Sequence, residues 1–176
     1  MSLKKVFLAT TLALTSGLAL ADNVSYDYLD IGYVDFDGAD GFNFELSKEF
    51  DDNFYGRLDY TDLDGDFGGD FKATRLNLGY KTALSSSVDF LAELGYEDID
   101  LGFADDNGYN ARVGLRGMAT SNFELGGYAT YSDVLETTDV TVEGRYHFNN
   151  QFSMALEVGN DEDLDEHYGV SFRFNF

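Results

Sequence analysis

The chain has 176 residues and a formal net charge of −22, and it contains no cysteine, proline or tryptophan. Acidity this one-sided repels a phosphate backbone, which excludes nucleic acid as a partner. The missing cysteine excludes a disulfide framework and a thiolate metal site, and the length suits one domain.

The first element is a leader. Lys4 and Lys5 form a basic start, residues 6–20 are mostly apolar, and Ala19-Leu20-Ala21 offers small residues where a signal peptidase cuts. The apolar run is shorter than the roughly 20 residues a spanning helix needs. The expectation is a cleaved signal peptide over 1–21 and one domain over 22–176.

From residue 22 the pattern has period two. The chain carries 19 Gly, 12 Tyr and 16 Phe, and its acids alternate with Phe, Tyr, Leu and Val, which is strand patterning and not that of a disordered acidic chain. The first strand lies around 24–34. Tyr26 and Tyr28 share one face, while Leu29, Ile31 and Tyr33 mark the other, so apolar groups on both sides leave its register open. The second sets Phe42, Phe44 and Leu46 against Asn43, Glu45 and Ser47. The third sets Phe54, Leu58 and Tyr60 against Tyr55, Arg57 and Asp59, and the fourth sets Leu76, Leu78 and Tyr80 against Arg75, Asn77 and Lys81.

The fifth opposes Phe90, Leu94 and Tyr96 to Asp89, Leu91 and Glu93. The sixth opposes Tyr109, Val113 and Leu115 to Asn110, Arg112 and Arg116. The seventh opposes Phe123, Leu125 and Tyr131 to Glu124 and Tyr128, and the eighth opposes Val140, Val142 and Tyr146 to Glu143, Arg145 and His147. The ninth opposes Phe152, Met154 and Leu156 to Ser153, Ala155 and Glu157. The last sets Tyr168, Val170, Phe172, Phe174 and Phe176 against His167, Ser171, Arg173 and Asn175.

Each segment is about the 9–11 residues of a tilted membrane strand. Tight turns at Asp51-Asp52-Asn53, 84–86, 119–122 and Asn149-Asn150 alternate with longer acidic connections at 35–41, 62–70, 97–108, 133–138 and 160–166. This predicts an all-β, closed, antiparallel up-and-down transmembrane barrel of ten strands, or eight if the first strand and one hairpin are misassigned.

A β-sandwich shares the alternation but does not explain where the charges fall. All six arginines after the leader lie on the polar face. Facing lipid at midplane, each would cost roughly 2–4 kcal/mol. Placed inward, they form an expected lumen network of Glu45, Arg57, Asp59, Arg75, Glu93, Arg112, Arg116, Glu143, Arg145, Glu157 and Arg173. The outward aromatics also sort by depth. Tyr60, Tyr96, Tyr109, Tyr131 and Tyr168 fall at the long-loop rim, and Phe54, Tyr80, Phe123, Phe148, Phe152 and Phe176 at the short-turn rim. These are the two girdles a bilayer selects.

These residues resemble the small bacterial outer-membrane β-barrel proteins, a porin-like superfamily. Tyr168, Val170, Phe172, Phe174 and Phe176 match its C-terminal assembly signal, which implies the barrel-assembly machinery and periplasmic chaperones as biogenesis partners and outer-membrane lipid and lipopolysaccharide as surroundings. Asn23-Val24-Ser25-Tyr26-Asp27-Tyr28 with Gly32-Tyr33 is similar to the start of the sulfation-dependent quorum factor family, which implies location more than activity.

No catalytic constellation is legible. His147 and His167 fall near opposite rims, and the His-X-Ser motif of lipid A deacylase barrels is absent. Asp62-Leu63-Asp64-Gly65-Asp66 opens like a calcium loop, but Phe67 replaces the sharp-turn glycine and Ala73 the closing glutamate. The sequence therefore predicts no enzyme, cofactor or resident metal. It predicts a bacterial outer-membrane barrel with a narrow, charge-paired lumen passing at most small ions or solutes. The alternative is a plugged barrel acting through acidic extracellular loops.

Overall fold

The structure is a computed structural model that describes residues 24–65, 69–162 and 165–176. The leader over 1–21 lies outside the described residues, as do Asp66 and Phe67 of the candidate calcium loop. Ten strands follow one another. They are β1 (Tyr28–Phe36), β2 (Ala39–Asp51), β3 (Phe54–Gly65), β4 (Asp70–Ala83) and β5 (Val88–Asp100). The second half is β6 (Asp105–Met118), β7 (Phe123–Ser132), β8 (Thr137–His147), β9 (Phe152–Asp161) and β10 (Asp165–Asn175).

Each strand pairs antiparallel with its neighbours in sequence, and β1 closes on β10 in a register running from Tyr28↔Asn175 to Phe36↔His167. Ten strands are therefore present and eight are excluded. Closure leaves no unpaired edge, which is what a sheet needs where lipid offers no hydrogen bonds.

The closed ladder fixes the register the sequence left open in β1. Asp30↔Glu45 and Asp30↔Arg173 are cross-strand pairs, so Tyr28, Asp30 and Val34 face inward and Leu29, Ile31 and Tyr33 outward. Throughout the barrel the apolar rows point out. Leu94 and Leu156 are 62% and 68% exposed, whereas the long, charged Arg145 is 0% exposed. A water-soluble fold inverts this order. Exposed Tyr60, Tyr96, Tyr109 and Tyr168 ring one end, and Phe54, Tyr80, Tyr146, Phe148 and Phe176 ring the other. An apolar belt between aromatic girdles is the exterior of a barrel that crosses a bilayer.

Leu94→Arg puts an unpaired cation in that belt and is expected to cost about 2–4 kcal/mol in urea unfolding from phospholipid vesicles. Asp98→Arg, in the same outward row beyond the Tyr96 girdle, is expected to cost far less. Equal losses would contradict this placement of the belt.

The long acidic loops expected at one end are largely absent. Every connection between strands is four residues or fewer. The segments 62–65 and 97–100 continue as strand, because Asp62-Leu63-Asp64 and Asp98-Ile99-Asp100 keep the period of two. What changes is the sign. Beyond the girdle Leu63 and Ile99 are buried inside and the aspartates face out. Lipid rewards an apolar exterior and water a polar one, so the pattern inverts where the wall leaves the membrane. Strands β3 to β6 have 12 to 14 residues against 10 or 11 for β7 to β10, so one side of the wall stands higher.

Candidate functional site: the barrel interior

The inward rows converge on a cavity of about 400 Å³ that runs from Phe36, Asp37 and Leu135 at the loop end to Tyr26 and Leu91 near the turn end. The eleven charged residues expected in the lumen all lie on inward rows. Their ion pairs fall into four groups, each tying together different strands, and the second and third are joined by Arg57 and Asp59 at 3.7 Å.

The first lies across the β1–β10 seam. Arg145 donates to Asp30 Oδ2 at 2.7 Å, to Glu143 Oε1 and Oε2 at 3.1 Å each, and to Ser171 Oγ at 3.1 Å. Arg173 Nε reaches the same Asp30 oxygen at 2.8 Å, with its guanidinium 3.6 Å from the Tyr28 ring centre. In the second group, Arg57 bridges Glu45 and Glu93, at 2.8 Å to each. Tyr55 OH donates to Glu93 Oε1 at 2.7 Å, and Tyr28 OH donates to Glu45.

Tyr55 can lie flat against the wall because its cross-strand partner is Gly79, where a Cβ would stand 2.3 Å from the ring. The third group joins Arg75 to Glu97 at 3.1 Å and Asp59 at 3.4 Å, while Ser132 Oγ donates to Glu97 at 2.6 Å. In the fourth, Arg116 lies 2.7 Å from Glu124, whose other oxygen is 3.0 Å from His147 Nε2. Buried charges are tolerated when each is paired and hydrogen-bonded, and these are.

Two of the eleven behave differently. The Arg112 guanidinium lies over the Tyr128 ring, 3.8 Å from its centre, and Glu157 lies along Gly169; neither makes an ion pair among the described residues. Three network members are additions to the sequence reading. Asp30 sits in the strand of open register, Glu97 in a segment read as loop, and Glu124 near a turn. Their signal was their place on inward rows, in step with Tyr28, Glu93 and Tyr128.

The turn end holds a feature the sequence did not suggest. Residues 24–27 enter the barrel mouth ahead of β1. Val24 and Tyr26 are buried with Tyr55, Leu91, Met118 and Tyr128 in an apolar cluster. Burial pushes the Tyr26 phenol well above its ordinary pKa, so it stays a neutral donor to Asp89 Oδ2 at 3.3 Å. Arg116 donates to the Ser25 carbonyl at 3.3 Å. Asp27 fastens the segment to β2. Partial burial opposes its ionisation, but Lys48 Nζ at 2.6 Å and the Glu49 amide at 2.7 Å outweigh this and hold its carboxyl below the usual range. The lumen is thus polar along its middle and closed by aromatic and aliphatic side chains at one end.

His147 stands at the turn end beside Glu124, and His167 at the loop end, stacked on Phe36 with ring centres 4.6 Å apart. The C-terminal row Tyr168, Val170, Phe172, Phe174 and Phe176 faces outward, and Phe152 packs on Phe172 and Phe174 with ring centres 5.7 and 5.3 Å apart.

No protein-family model matches the chain, and no curated protein matches it. Solved structures do. A KdgM porin shares 14% identity with a TM-score of 0.53, covering 85% of this chain and 99% of that one. A NanC porin shares 11% identity with a TM-score of 0.57 over the same shares. An outer membrane channel from Pseudomonas putida F1, of group COG4313, shares 11% with a TM-score of 0.54, covering 89% of this chain and all of that one. The fold is that of outer-membrane porin and channel barrels.

Proposed function

We infer that the chain is an outer-membrane, porin-like barrel that passes small cations through a narrow, ion-paired lumen and catalyses no reaction. One observation carries this: among the described residues, nine carboxylates and five arginines line the cavity. An acidic lining concentrates cations and repels anions within a low-dielectric wall. One similar structure is a KdgM porin in complex with disordered oligogalacturonate, a polyanion. An excess of carboxylates suits this lumen poorly to such a solute.

The outward Tyr168–Phe176 row supports assembly by the barrel-assembly machinery after delivery by periplasmic chaperones. The aromatic girdles support contact with outer-membrane lipid and lipopolysaccharide. The resemblance of 23–28 to the sulfation-dependent quorum factor family agrees with that location.

The test is the reversal potential of the refolded protein in a planar bilayer under a salt gradient. A potential of cation-selective sign is expected. Arg112→Ala should sharpen the preference, since its guanidinium lies over the Tyr128 ring and is tied into no ion pair among the described residues. Anion selectivity would overturn the reading. A second reading has its own support: the Val24–Tyr26 cluster makes a plugged barrel acting through its acidic outer hairpins. A silent bilayer from protein with the heat-modifiable gel mobility of a folded barrel would favour it.

A further inference from the structure

We propose that the loop-end mouth of the barrel is a binding site for a divalent transition-metal ion of zinc-like preference, with His167 Nδ1 and Asp139 Oδ1 as its protein ligands. The two atoms stand 3.6 Å apart, too far for a hydrogen bond, and both are buried with no hydrogen-bond partner among the described residues. Two ligands each about 2.1 Å from one ion at a tetrahedral angle lie ~3.4 Å apart, so the gap is that of a metal bite.

Both ligands are held in place. The His167 side chain is 6% exposed, stacked on Phe36 on one side and lying across Gly159 on the other, where a Cβ would come within 2.2 Å of its ring. Thr141 Oγ1 donates to Asp139 Oδ2 at 2.5 Å, which turns Oδ1 toward the imidazole. Outer hydrogen bonds of this kind orient metal ligands and tune them.

The electrostatics also call for a cation. Asp139 faces Asp161 directly across β8 and β9, on inward rows. Like charges in that relation repel. Most of the inward carboxylates are bridged by arginine; the basic group beside Asp139 is the His167 imidazole. Thr137 Oγ1 steadies Asp161 by donating to Oδ2 at 3.0 Å. Among the described residues no three such donors converge on one point, so Asp161 acts from the second layer and water completes the coordination. One imidazole with carboxylate favours zinc-like ions over calcium or magnesium, which prefer oxygen alone. The site stands at the cavity entrance, so its occupancy sets the charge an incoming ion meets first.

The experiment is a zinc titration of the refolded full chain in detergent micelles, following the two histidine rings by NMR. His147, at the far end, is the internal reference. Saturable shifts of His167 alone are expected, lost in Asp139→Asn and weakened about ten-fold in Asp161→Asn. Magnesium at the same concentration should not compete. Heat-modifiable gel mobility establishes that each variant is folded. An unmoved His167 ring at millimolar zinc overturns the site and leaves a plain histidine–aspartate pair. Equal shifts of both rings, or His167 shifts that survive unchanged in Asp139→Asn, overturn it as general adsorption to an acidic protein. None of these readouts depends on conduction, so failure here leaves the passage reading intact.

Discussion

Arg145→Ala is expected to destabilise the barrel by about 3–5 kcal/mol, the cost of removing one partner from a buried ionic cluster. Arg145 has no exposed surface and bonds to Asp30, Glu143 and Ser171, which come from three different strands. Alanine leaves the Glu143 carboxylate without its cation and Asp30 with Arg173 alone. Equilibrium urea unfolding from phospholipid vesicles measures the loss. A compensated variant, Arg145→Met with Glu143→Gln, keeps Asp30 for Arg173, removes the stranded charge and should recover most of it. A loss under ~1 kcal/mol, the worth of an exposed pair, would mean that water reaches the cluster and screens it.

Tyr26→Ala is expected to raise single-channel conductance several-fold while leaving cation preference unchanged. The ring is 2% exposed, lies with Tyr55 at a centroid separation of 4.8 Å, and has the Lys81 ammonium 4.5 Å and the Arg116 guanidinium 4.8 Å from its centre. It precedes β1, so alanine removes the obstruction without breaking a ladder hydrogen bond. The selectivity-setting carboxylates lie farther along the lumen and are untouched. Leu91→Ala, on the opposite wall of the same cluster, should act in the same direction. Conductance unchanged in both variants would place the narrowest point elsewhere.

The sequence made the wall legible and the ends less so. Where the barrel is flanked by lipid outside and by ion pairs inside, each residue's polarity gives its direction, and Phe123 to Tyr131 or Phe152 to Val158 can be oriented from alternation alone. The rule fails where the surroundings change. Leu63 and Ile99 are apolar and inward because the wall has left the membrane, so an acidic strand looked like loop. Tyr26 is apolar and inward because it closes the lumen, which obscured the first strand. Asp30 was lost with it, although it is the meeting point of Arg145 and Arg173. The mouth pair of Asp139 and His167 carried no signal, since its members are 28 residues apart and meet only through β10 pairing with β9.

The β1–β10 seam has a kinetic consequence. Asp30 meets Arg145 across 115 residues of chain and Arg173 across 143, so these bonds cannot form until the last strand has arrived. Contacts of such long span carry a large loop-closure cost and come late in folding. Interactions absent from the transition state leave the folding rate alone and slow unfolding. The seam ion pairs therefore govern how long the barrel survives once made, and matter little to how quickly it is made.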